Sequence, residues 1–72
     1  MTYYTIEIRD NATNFLYHYT NIRNLSFAHK LAARLSRGFR TTDIIDQTTG
    51  AILGTYEGGE ATYIDCDPYA GY

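Results

Sequence analysis

"NLSFAHKLAARLSRG", residues 24–38, is the stretch of this 72-residue chain where the hydrophobic period is helical. Ala28, Leu31, Ala32 and Leu35 recur at a spacing of three and four, which puts them on one face of a helix. Asn24 is the expected N-cap, with Ser26 as the alternative, because a short polar side chain there can accept from the first free N–H groups. Gly38 fits the left-handed position past the far end. Arg34 and Arg37 fall in the last turns, where cations suit the helix dipole. Lys30, Arg34 and Arg37 take the outer face. The small Ala28 and Ala32 allow close approach to a sheet.

On both sides of this segment the period is two. Upstream, "TYYTIEIR" sets Tyr4, Ile6 and Ile8 against Thr5, Glu7 and Arg9, the pattern of a strand with one buried face. "DNATN" (10–14) is turn chemistry, since Asp and Asn make Asx turns and tolerate positive φ. "FLYHYT" (15–20) then returns as the second strand of a hairpin, with Phe15, Tyr17 and Tyr19 on one face. Downstream, "TTDIID" (41–46), "AILGTY" (51–56) and "ATYIDC" (61–66) are three further strands. Ile44 and Ile45 are adjacent and cannot both face a core, and Ile52 and Leu53 pose the same ambiguity. Gly58-Gly59 signals a two-residue hairpin turn. Pro68 ends the ladder and opens a tail, 68–72. The expected fold is α+β: a single helix packed on a four- to five-stranded antiparallel sheet, order ββαβββ, as one domain over residues 1–72. One helix covers one face of such a sheet and leaves the other wet.

The charges are unevenly placed. The net charge is −2, but residues 1–40 hold six bases and two acids, a balance of +4. Residues 41–72 hold six acids and no base, a balance of −6. Such asymmetry between halves points to a charged partner surface, unless the halves interleave in space and cancel. Eight Tyr and no Trp are present. Tyr is favoured in strands and also in protein interfaces.

Catalytic and metal chemistry find little support. The single Cys excludes an intramolecular disulfide and suits a reducing cytoplasm. Cys66 lies in "DCD", where Asp65 and Asp67 oppose the thiolate that nucleophilic chemistry needs. His18 and His29 lack zinc-ligand spacing, both between themselves and with Cys66. Asp43 and Asp46, three apart on a strand, point to opposite faces and form no dyad. No helix follows Gly58-Gly59, so it is no phosphate loop. No enzyme activity and no cofactor are expected. No secretory signal or membrane span is read in the sequence, and the expected location is the cytoplasm. The two sequons, at Asn11 and Asn24, are read as chance.

Two binding surfaces remain. The first is acidic and aromatic: Asp43, Asp46, Tyr56, Glu57, Glu60, Tyr63, Asp65 and Asp67, which could meet a basic protein surface. The second is basic: Arg23, Lys30, Arg34, Arg37 and Arg40 on or beside the helix, which could meet phosphates, with Tyr rings stacking on bases. The sequence pI of about 5.4 weighs against the second, since nucleic-acid binders are usually basic.

The layout also resembles a known group. A hairpin, a helix opening on Asn24-Leu25-Ser26, the run "TTDIIDQTTGAILGTYEGG" and a final strand ending Ile64-Asp65-Cys66 are similar to small phage-encoded anti-CRISPR proteins that inhibit type I effector complexes. Tyr63 stands near where that strand often has Trp, and the last hairpin has no Lys, so no contact residue carries over. The resemblance implies a phage or mobile-element inhibitor that binds a host CRISPR effector complex stoichiometrically. It would block target DNA binding or nuclease recruitment in the cytoplasm of a bacterial host cell, with no cofactor. Apart from the resemblance, no membrane contact is expected, and monomer and edge-strand homodimer both stay open. The alternative is a small nucleic-acid-binding regulator using the basic helix face.

Overall fold

A computed structural model of the chain describes residues 2–65. Five strands and one helix follow in the order ββαβββ: β1 (Tyr4–Asp10), β2 (Leu16–Ile22), α1 (Leu25–Leu35), β3 (Arg40–Asp46), β4 (Ile52–Glu57) and β5 (Glu60–Ile64). The strands form one sheet in the order β2-β1-β3-β4-β5, with every neighbouring pair antiparallel. The α+β class and the single-helix, antiparallel arrangement expected from the periods are therefore what the chain adopts. Cys66, Asp67 and the 68–72 tail lie outside the described residues.

The period-two segments become strands because alternation supplies one apolar face. Tyr4, Ile6 and Ile8 of β1, Ile44 of β3 and Leu53 of β4 are buried against Ala28 and Ala32 of α1. Ile22, Leu25, Leu31, Leu35 and Tyr56 pack around this cluster. The helix begins where Asn24 caps it, Oδ1 accepting from Phe27 N at 2.9 Å. The two alanines lie flush on the sheet, and close enough that Thr42 Oγ1, fully buried, donates to the Ala32 carbonyl at 2.9 Å.

The far end of α1 is clamped to the last hairpin. Ser36, the C-cap, donates from Oγ to the Ala33 carbonyl (2.8 Å) and accepts there from Gly59 N (2.9 Å). Its own carbonyl accepts from Gly58 N at 2.8 Å. Gly58 and Gly59 both take positive φ, 61° and 88°, the conformation of a two-residue turn that matches strand twist. The paired isoleucine ambiguity resolves through an irregularity in register between β3 and β4 at Ile44/Ile45. Ile44 and Leu53 go inward, while Ile52 lies opposite Ile45 and stays exposed.

The helix lies over β1, β3 and β4, with few contacts to the edge strand β2. Phe15, Tyr17 and Tyr19 therefore remain exposed, although Tyr17 and Tyr19 share a face with Ile8 and Ile6. A groove of about 400 Å³ is left there, lined by Ile8, Tyr17, His18, Tyr19, Leu35 and Arg40.

Candidate protein-docking face

The face of the sheet away from α1 is built in rows by strand register. One row crosses all five strands: His18, Glu7, Asp43, Thr55 and Tyr63. The next runs Leu16, Arg9, Thr41, Glu57 and Glu60. Side-chain bonds tie the rows laterally. Thr55 Oγ1 donates to Asp43 Oδ1 at 2.7 Å, Thr41 Oγ1 donates to Glu57 Oε1 at 3.3 Å, and His18 Nε2 lies 3.4 Å from Glu7 Oε2.

Two pairs on this face break the usual rule of sheet pairing. Glu7 lies directly opposite Asp43, and Glu57 directly opposite Glu60. Like charges facing each other across strands destabilise a sheet. Among the described residues no Lys or Arg is in a salt bridge with any of the four; the one ion pair there is His18 with Glu7. Four carboxylates thus share one face with a single Arg, Arg9. The basic residues lie across the sheet. Lys30 and Arg34 are exposed on α1; Arg37, expected in the last helical turn, is exposed in the turn past the Ser36 cap, and Arg40 lines the groove beside Leu35. Phe27 joins Lys30, Leu31 and Arg34 around a small hollow. Most of the two charge sets therefore lie on opposite sides of the sheet, with Arg9 the base that stands among the carboxylates.

The residues expected to form the acidic surface divide accordingly. Asp43, Glu57, Glu60 and Tyr63 come together on the open face. Asp65 follows β5, its N–H donating to the Leu53 carbonyl at 3.0 Å. Asp46 is occupied elsewhere: its Oδ1 accepts from Thr48 N (2.7 Å) and Thr49 N (3.3 Å) and shapes the β3–β4 turn. Tyr56 lies on the helix side, where its hydroxyl bonds His29 Nδ1 at 2.8 Å. Burial lowers the His29 pKa from its ordinary 6.5 and raises that of Tyr56 from 10.0. Among the basic set, Arg23 stands apart, its guanidinium 5.9 Å from the centre of the Tyr3 ring.

Glu7 and His18 were not anticipated as part of the face. The alternation in β1 does set Glu7 opposite to Ile6 and Ile8. What the sequence lacks is a mark that β1 would lie between β2 and β3, next to Asp43.

Among the described residues no group of three or more His, Cys, Asp or Glu is arranged to hold a metal ion. No helix among them is long and apolar enough to cross a membrane. No protein-family model, curated protein or solved structure matches the chain.

Proposed function

We propose that the protein works by binding, and that its open sheet face docks on a basic surface of a partner protein. The observation that carries this reading is the two like-charge pairs set opposite each other by strand register, Glu7 with Asp43 and Glu57 with Glu60. A sequence selected for stability alone replaces one member of each pair with Lys or Thr. A partner's Lys and Arg would relieve the repulsion on binding and steer the encounter. Leu16 and Tyr63, both exposed on the same face, supply apolar and aromatic contact between the charges.

A basic protein surface is frequently one that handles nucleic acid, and a carboxylate-rich sheet competes for it directly. Together with the resemblance drawn from the sequence, this makes the favoured role a stoichiometric inhibitor of a host CRISPR effector complex, one that blocks target DNA binding or nuclease recruitment. The test is a pulldown of tagged protein from bacterial lysate with and without nuclease, comparing the wild type with Glu7→Lys/Glu57→Lys/Glu60→Lys. Asp46 is left intact because its carboxylate forms a turn. Nuclease-resistant capture of effector subunits, lost in the triple variant, is the expected result. Capture unchanged by the triple variant overturns the docking face.

The second reading, nucleic-acid binding, rests on the exposed Lys30, Arg34 and Phe27 gathered on the outer side of α1. It predicts capture that is abolished by nuclease and that falls steeply with salt.

A further inference from the structure

We infer that two copies of the chain pair through β2, edge to edge and antiparallel, about a two-fold axis at His18. This inference concerns the edge of the sheet and stands independently of the partner proposed for its face.

β2 is one of the two ends of the sheet and six of its seven residues are exposed. Proteins guard such edges with Lys, Pro, short strands or inward charges, because unpaired N–H and C=O groups template further pairing. Residues 14–22, "NFLYHYTNI", contain no Lys, Arg, Asp, Glu or Pro. The strand is instead rich in exposed apolar surface, with Leu16, Tyr17 and Tyr19 each about half exposed, 51% in every case. The opposite edge is different: β5 begins at Glu60 and is followed by Asp65, so pairing two copies there gathers four carboxylates.

The register follows from the sequence. "LYHYT", 16–20, is nearly palindromic about His18. A two-fold axis perpendicular to the sheet keeps both helices on one side and makes residues of equal orientation face each other. Centred on His18, it sets Tyr17 against the second copy's Tyr19 and Leu16 against its Thr20, with His18 opposite itself. The aromatic pairs are of the kind that stabilises adjacent strands. No formal charge meets its like at the seam. Arg23, just past β2, comes toward the second copy's 10–14 turn, which carries Asp10. The two grooves beside Leu35 join into one channel floored by tyrosines. The two acidic faces become coplanar, and the central row runs Asp43, Glu7, His18 and then His18, Glu7, Asp43 of the second copy.

The test uses the full chain. Sedimentation over a range of concentrations is expected to give a reversible monomer–dimer equilibrium. Leu16→Lys, at a half-exposed position that tolerates a charge, should weaken it by ~10-fold or more while the circular dichroism spectrum stays that of the folded chain. Register is read by cross-linking in a Cys66→Ser background. Directly opposed residues lie ~4.5–5.5 Å apart between Cα atoms, within disulfide reach. His18→Cys should therefore cross-link to itself on mild oxidation. Leu16→Cys should not, except when mixed with Thr20→Cys. A chain that stays monomeric at concentrations well above ~100 μM overturns the inference, because an interface that weak corresponds to little net affinity. Cross-linking of Leu16→Cys alone as fast as His18→Cys also overturns it.

Discussion

His29 on α1 and Tyr56 on β4 are joined by a hydrogen bond of 2.8 Å between Nδ1 and Oη, with the rings edge to face at 5.8 Å. The bond spans the helix–sheet interface, and burial holds His29 below its ordinary pKa of 6.5. The unfolded chain therefore binds the proton more readily than the folded one. This contribution to stability is complete above pH 6.5 and is lost progressively as pH falls below it. Urea unfolding of wild type and His29→Gln from about pH 7.5 to about pH 5.5 should show a steeper loss in the wild type. Equal slopes would mean that His29 is as easily protonated in the fold as out of it. Tyr56 acts at the other end of the scale: its raised pKa makes stability fall above pH 10, where the unfolded chain ionises first.

Gly54 lies directly beneath that histidine. A Cβ built there would be 3.1 Å from His29 Cε1. Gly54→Ala must push the imidazole, and with it the bond to Tyr56. Forced overpacking of this kind costs about 1–3 kcal/mol. The measurement is the shift in urea midpoint at unchanged slope; a midpoint within error of the wild type would show that the ring moves aside freely.

Ser36 ties the end of α1 to the β4–β5 turn through one hydroxyl used twice. Ser36→Ala leaves the half-buried Gly59 N–H without that acceptor. The expected loss is about 0.5–1.5 kcal/mol, the net worth of a hydrogen bond whose donor is only partly shielded from water. Amide exchange locates the damage: Gly59 should lose protection well beyond what global destabilisation explains. Thr42→Val is the milder companion, since the Ala32 carbonyl keeps its bond from Ser36 N at 3.0 Å.

The like-charge pairs give a prediction in which stability and binding move in opposite directions. Glu60→Lys replaces the repulsion with Glu57 by attraction, so the isolated domain should gain roughly 0.2–1 kcal/mol. Its capture of the partner should weaken. A variant that loses stability, or one that gains stability and keeps full binding, removes the reason for reading the acidic face as the functional one.

Most of the fold was legible because each element announces itself locally. The hairpin came from alternation around an Asx-rich turn, the helix from Asn24 and the Ala–Leu stripe, and the last turn from two glycines. Gly38 does take positive φ, 81°, although the helix itself is capped two residues earlier by Ser36. Long-range adjacency was not legible. Nothing near Tyr17 or Tyr19 indicates that α1 would lie over β1, β3 and β4 and leave them uncovered. Asp46 and Tyr56 looked like surface residues of the acidic half, but one shapes a turn and the other meets the helix. Both depend on neighbours that only the folded chain supplies. The acidic face was visible as a charge imbalance, while its pairing with Glu7 awaited the strand order.

That strand order also governs how the chain is made. β1 is synthesised first, yet it lies between β2 and β3, with Thr5 opposite Ile45. On a ribosome adding ~5–20 residues per second, Tyr4, Ile6 and Ile8 wait several seconds for β3 to emerge. Until α1 and then β3 emerge, the β1–β2 hairpin has its apolar face uncovered and both of its edges open. Of the five strands, β1 thus keeps one open edge until its second neighbour is made, and how long that edge stays open is set by translation speed rather than by the stability of the finished domain.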